Sequence, residues 1–116
     1  MSSKSYKQIT QDLNQAIGTL RAAQPDTLSG FSAMSKAAMQ PGALSAIDKE
    51  LMALAIGVAT HCDGCIGFHV KALVRLGASN KQLTETLAVA VYMGGGPSLM
   101  YAADAVRAWE EFSAPK

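Results

Sequence analysis

Residues 45–79 read SAIDKELMALAIGVATHCDGCIGFHVKALVRLGAS, and this stretch decides the fold. Ile47, Leu51, Leu54 and Val58 recur at helical spacing and form the inner stripe of one helix. Ser45 is placed to cap it, with Asp48 three residues on in a capping-box position. Glu50 lies one turn from Ile47 and from Leu54, at the edge of that stripe; Lys49 points elsewhere and is easily solvated. A second helix begins near His61 or Cys62 and ends at Gly77, a suitable residue just past a helix end. Ile66, Leu73 and Leu76 mark its apolar face. At about 100° per residue, Cys62, Cys65 and His69 share that face, whereas Gly64, Lys71 and Arg75 point away. The thiols and the imidazole are therefore expected to look inward, toward another helix.

Outward from this pair the helical pattern continues. Tyr6, Ile9, Leu13, Ile17 and Leu20 predict a helix near 5–23. Pro25 begins another, near 26–39, with Leu28, Phe31 and Met34 on one side and Pro41-Gly42 as its stop. Ser79 with Gln82 caps a fifth helix carrying Leu83, Leu87, Ala90 and Val91. Gly94-Gly95-Gly96 breaks it. Pro97 suits the first turn of a sixth, with Leu99, Ala102, Ala103, Val106 and Trp109 on its core side. The tail from 113 to 116 should fray. No segment reads as a strand. The expectation is an all-α protein, a compact bundle of about six helices forming a single domain over 1–116.

Composition narrows the function classes. Ten Lys+Arg against nine Asp+Glu give a net charge of +1, too weak a field to gather nucleic acid or anionic lipid. Hydrophobic residues reach 49%, a high share for a small monomer, so part of the surface is expected to pack on other subunits. The N-terminus is polar and lacks the apolar core of a signal peptide. The longest apolar run, 51–59, is far short of the ~20 residues that span a bilayer. A cytoplasmic protein without nucleic-acid or membrane partners is expected. Its two cysteines are separated by two residues and cannot staple a fold; in a reducing compartment such a pair is redox-active or metal-binding.

The chemistry concentrates in Glu50-x11-Cys62-x2-Cys65-x3-His69. At i and i+3 the two thiols are neighbours and can close a disulfide. The positive end of a helix favours thiolate over the free pKa of about 8.5. His69, one turn beyond Cys65, can take its proton directly or through one water. Glu50 near an apolar stripe is costly unless paired, and a facing imidazole would satisfy it and be oriented by it. His61, at the helix cap, is placed to influence a thiol from outside this set. Each has a plainer use: small buried cysteines, a core histidine on a backbone carbonyl, a snorkelling or ion-paired glutamate. Tyr92, Met93 and Tyr101 are pocket candidates, with core packing as their plainer role. Zinc is the main competitor, since His61, Cys62, Cys65 and His69 offer four ligands. However, three lie within two turns of one helix and no second CxxC or HxxxH pair completes the set. No metal or cofactor is therefore expected. Ile66 after Cys65 excludes haem attachment, and the absence of a βαβ pattern disfavours a thioredoxin fold.

With Glu50, Cys62, Cys65 and His69 in this helix-to-helix setting, the chain resembles the alkylhydroperoxidase D / carboxymuconolactone decarboxylase-like superfamily. The resemblance is strongest over 45–93 and weaker through the Gly-Gly-Gly-Pro turn and last helix. Redox-active members carry E-x11-C-x2-C-x3-H, and this chain matches all four positions. The resemblance implies an all-α fold, a homo-trimer or homo-hexamer, and peroxidase chemistry. Cys65 would attack the peroxide, Cys62 would resolve it, and His69 with Glu50 would relay protons. The substrate would be an organic hydroperoxide, and an external dithiol, a lipoyl protein or a thioredoxin-like one, would restore the thiols. Two departures stand out. Gly64 occupies a position where the best-known alkyl hydroperoxidases carry histidine, and the chain is short, like single-unit members. Relatives that decarboxylate the lactone generally lack the CxxC. Two further readings remain open: acid–base catalysis by His69 and Glu50 alone, and a non-enzymatic redox-sensing or zinc-binding module.

Overall fold

The computed structural model describes residues 4–115; residues 1–3 and the last residue of the expected frayed tail lie outside them. Six helices follow one another: α1 (Tyr6–Ala23), α2 (Pro25–Ala38), α3 (Ala46–Ala59), α4 (Asp63–Leu76), α5 (Asn80–Gly94) and α6 (Gly96–Ser113). No strand occurs among the described residues, and the all-α expectation holds.

The ends are set by local chemistry. Ser45 and Asp48 close a reciprocal capping box at α3 (3.0 and 3.2 Å), and Ser79 and Gln82 close another at α5 (3.0 and 2.8 Å). Each satisfies two N–H groups that the helix leaves without partners. Gly77 ends α4 in the left-handed region, φ 81°, which costs glycine nothing. The break between α5 and α6 is narrower than the three glycines suggest. Gly94 closes α5, Gly96 opens α6, and Gly95 alone makes the turn.

The hairpin of α3 and α4 is the centre of the fold. Leu54 and Val58 from α3, and Ile66, Val70 and Leu73 from α4, are fully buried. α5 adds Leu83, Leu87 and Ala90, and α6 packs close through Ala102, Ala105 and Ala108. α1 reaches the core through Tyr6, fully buried, with Thr10 beside it. At the closest α3–α4 approach, a Cβ placed on Gly57 would lie 2.9 Å from the Cβ of Cys65. Glycine there lets the cysteine-bearing helix α4 lie directly against α3.

Several expected faces are differently placed. α2 has no buried residue; Leu28 is half-buried, while Phe31 and Met34 are exposed. Among helices it packs on α1 alone. Lys49, expected in solvent, instead donates to the carbonyls of Ala38 (3.0 Å) and Gln40 (2.6 Å), tying α3 to the end of α2. Leu76 is exposed. On α6 the core register is Ser98, Ala102, Ala105 and Ala108; Val106 and Trp109, half-buried, pack against the core as expected, whereas Leu99 and Ala103 face out. The larger side chains lost to the smaller ones because close helix approach favours alanine over bulk at the contact line. Gly64 does not point away from the fold, because a Cβ there would meet Leu13 of α1 at 2.7 Å. Helical order continues through Ser113, the first residue of the tail expected to fray. Among the described residues no helix is long and apolar enough to cross a membrane.

Candidate functional site

The α3–α4 connection positions the cysteines. Cys62 N–H bonds the Gly57 carbonyl (2.9 Å) and His61 N–H bonds that of Val58 (3.2 Å). His61 closes α3 in the left-handed region, φ 59°, an uncommon conformation for a residue with a side chain. α4 therefore starts at Asp63, one residue after the later of the two expected starts. Cys62 is its N-cap, and its sulfur accepts from Cys65 N–H at 3.1 Å. Cys62 and Cys65 are joined as a disulfide, their Cα atoms 5.2 Å apart. The i, i+3 placement read from the sequence is thus what closes the pair.

One turn on, His69 meets Glu50. Nδ1 and Oε1 are 2.6 Å apart, linking α4 to α3, with side chains 31% and 16% exposed. The carboxylate oxygen accepts here, so Nδ1 carries the proton of this bond and Nε2 is the ring nitrogen left free of it. The expected pairing of glutamate and imidazole is present as geometry. A hydrogen bond from His69 to a sulfur is not, among the described residues: the ring and the disulfide share a cleft instead. That cleft, about 480 Å³, is lined by Cys62, Cys65, His69, Leu13, Ile17, Phe31, Phe68, Gly64 and Ser35. Apart from Ser35, the cysteines and His69, its wall carries no polar side chain, and α1 and α2 supply much of it. Leu13, Ile17, Phe31 and Ser35 were not foreseen as site residues. Their contribution depends on how the α1–α2 hairpin folds back on α4, which no local spacing encodes.

His61 does not join this group. Its ring stacks on Tyr101 of α6, centroids 4.8 Å apart and planes at 9°, which holds the left-handed residue in place. The four side chains weighed as zinc ligands are therefore split between two directions. Among the described residues no three His, Cys, Asp or Glu side chains gather as a metal site. Tyr92 and Met93 are exposed and line neither cleft nor core.

A second polar cluster lies on the other side of the CxxC. Lys4 Nζ bonds Asp63 Oδ1 (2.8 Å) and Asp104 Oδ2 (2.7 Å). The buried Tyr6 hydroxyl lies 3.2 Å from the same two oxygens. Burial opposes the Lys4 charge, but the two carboxylates outweigh it and hold the ammonium above its usual range. Burial, and then those same carboxylates, push the Tyr6 phenol up, so it stays a donor. Nearby, Glu111 accepts from the Ser5 hydroxyl and from Tyr6 N–H (2.7 Å). Burial works against its charge, yet these donors hold it below the ordinary carboxylate range.

The carboxymuconolactone decarboxylase family model matches residues 25–108. The chain is 42% identical over 103 residues to an uncharacterized protein of Cupriavidus necator, covering 89% of this chain and 91% of that one. It is 35% identical over 96 residues to uncharacterized protein 4 in the cox locus of Paracoccus denitrificans, covering 83% and 86%. The crystal structure of a carboxymuconolactone decarboxylase family protein from Legionella pneumophila is similar at TM-score 0.92 and 50% identity, over 94% of this chain and 97% of that one. A family protein from Thermotoga maritima, described as "possibly involved in antioxidative response", is similar at TM-score 0.70 and 31% identity, over 93% and 89%. Matched over most of its length by family model, relatives and solved folds alike, the chain belongs to the carboxymuconolactone decarboxylase family.

Proposed function

We propose that this protein is a thiol-dependent hydroperoxide reductase of antioxidant defence. The observation that carries the reading is one cleft whose wall holds both the closed Cys62–Cys65 pair and His69, with Glu50 bonded to that imidazole. The apolar lining from Leu13, Ile17, Phe31 and Phe68 suits the organic part of an alkyl or aryl hydroperoxide.

In the reduced protein, the Cys65 thiolate attacks the terminal oxygen of ROOH and the O–O bond breaks. The alkoxide leaves with a proton delivered through His69, held by Glu50, giving ROH and a Cys65 sulfenic acid. Cys62 attacks that sulfur and water leaves, closing the disulfide. An external dithiol then supplies two electrons, and its own sulfurs join. The assignment of attack to Cys65 rests on its place one turn before His69 and on the family resemblance. The N-cap position would by itself favour thiolate at Cys62.

The test is single turnover. Reduced protein, freed of reductant without air, receives one equivalent of cumene hydroperoxide while free thiols and intact mass are followed. Loss of both thiols to an internal disulfide, absent in Cys65→Ser, is expected. Cys62→Ser should be oxidised once without closing the disulfide. Wild-type turnover in Cys65→Ser would sink the assignment. Family membership favours one other reading, acid–base catalysis by His69 and Glu50, and that activity would survive Cys62→Ser/Cys65→Ser. Exposed Tyr92, Met93, Leu99 and Met100 around the α5–α6 turn favour association of copies. We place the protein in the cytoplasm as a trimer or hexamer, which light scattering after size exclusion would measure.

A further inference from the structure

The residue between the cysteines that follows Cys62 is Asp63, and it is ion-paired. Its carboxylate is bonded by Lys4, which reaches in from ahead of α1. Lys4 also bonds Asp104 on α6. Arg107 donates to the other oxygen of Asp104 (3.1 Å) and to the Lys4 carbonyl (3.2 Å). The Lys4 ammonium lies 5.3 Å from the Tyr6 ring centre and 5.6 Å from that of Tyr101, whose ring carries the His61 stack. The strand of chain entering α1, the first turn of α4 and the middle of α6 are thereby fastened at one ammonium.

We propose that Lys4 is a positioning residue of the redox pair, acting through Asp63 to set how readily the Cys62–Cys65 disulfide is reduced. Reduction leaves thiols at the start of α4, and the pair becomes easier to reduce as thiolate there is favoured. A carboxylate on the same turn disfavours a second negative charge. Lys4 opposes that effect by pairing Asp63 at 2.8 Å. Without Lys4, Asp63 and Asp104 face one another across the Tyr6 hydroxyl with no cation between them, and thiolate at α4 becomes harder to form. His61, His69 and Glu50, the remaining titratable groups around the pair, are not in contact with Lys4 and keep their own partners.

The experiment equilibrates protein with mixtures of reduced and oxidised dithiothreitol. One S–S bond breaks as the other forms, and two electrons pass between them. Thiol alkylation against pH is measured alongside. Both pairing partners are partly exposed, so roughly a two- to fivefold change is expected, about 9–21 mV for this two-electron couple. Lys4→Met should make the disulfide harder to reduce and move the alkylation midpoint to higher pH. Asp63→Asn should do the opposite, since the cation beside α4 then stands without one of its two carboxylates. The double variant should fall back toward wild type, and Lys4→Arg should remain near it. The differences should shrink at high ionic strength. A merely structural role would lower stability without this reversal of sign. Wild-type equilibria in Lys4→Met, or a double variant no nearer wild type than Lys4→Met alone, would overturn the inference. It rests on the redox use of the pair proposed above, yet its readout contains no peroxide. Inertness toward cumene hydroperoxide with the expected shifts would retire only the peroxidase reading; turnover with unshifted equilibria would retire only this one.

Discussion

Alanine at Gly57 and alanine at Gly18 should change stability in opposite directions. Both glycines lie inside helices, where exchange to alanine by itself contributes about 0.5–1 kcal/mol. Around Gly18 an added Cβ meets nothing within 4 Å, so Gly18→Ala should be stabilising by that amount. At Gly57 the same methyl lies 2.9 Å from the Cys65 Cβ, and ordinary contact is about 3.5–4.0 Å. Both atoms are anchored to helix backbone, so α3 and α4 must part by roughly 0.6–1 Å. Overpacking of this kind costs about 1–3 kcal/mol, and after the helical gain a net loss of about 1 kcal/mol remains. An unfolding entropy of about 2.1 cal/mol/K per residue over 116 residues makes 1 kcal/mol equal to about 4 °C. Gly57→Ala should therefore melt about 4 °C below wild type, and Gly18→Ala about 2–4 °C above it. The assay is thermal unfolding followed by circular dichroism at matched protein concentration. A Gly57→Ala protein melting level with or above Gly18→Ala would refute the reasoning. The separation also displaces Cys65, so disulfide closure in single turnover should slow in Gly57→Ala and be unaffected in Gly18→Ala.

Glu50→Gln removes a charge-assisted bond to His69, worth about 1.5–3 kcal/mol, and should lower kcat/KM for cumene hydroperoxide roughly 10- to 150-fold while sparing the equilibrium reduction of the disulfide. Ser98 is 1% exposed and, among the described residues, its hydroxyl has no hydrogen-bond partner; Ser98→Ala should be stabilising by about 1 kcal/mol, read as a higher denaturant midpoint, and a lower midpoint would mean that the hydroxyl is bonded. The Glu111 carboxyl is held low by Ser5 and Tyr6. Its contribution is therefore present above the ordinary carboxylate pKa of about 4.3 and lost as pH falls toward the depressed value. Glu111→Gln should accordingly lower stability near neutrality and narrow the gap from wild type in acid; a gap that stays constant from pH 7 to pH 3 would count against this account.

Much of the site was legible because its signals are local. The capping boxes of Ser45 and Ser79, the i, i+3 cysteines and the apolar edge beside Glu50 each sit within a few residues of what they organise. Periodicity found the helices but not which faces would meet. On α6 the repeat of Leu99, Ala103 and Val106 is as regular as that of Ala102, Ala105 and Ala108, and only the approach of α3, α4 and α5 selects the second. Leu28, Phe31 and Met34 form a regular stripe with no helix of this chain against most of it. The Lys4–Asp63–Asp104 cluster spans nearly the whole chain, and nothing in the spacing of those residues announces it. His61 carries a left-handed backbone usually given to glycine, because a stack on a distant tyrosine compensates.

The sparse attachment of α2 has a consequence for how the cleft breathes. Native chains open in cooperative pieces, and the piece with the fewest buried side chains opens at least cost. α2 buries none and rests on α1, fastened at its end by Lys49. Its amides should exchange with deuterium well before those of α3 and α4, whose residues form the centre of the core. Phe31 and Ser35 therefore give the cleft a wall that detaches on its own, while the floor bearing the sulfurs unfolds only with the whole protein.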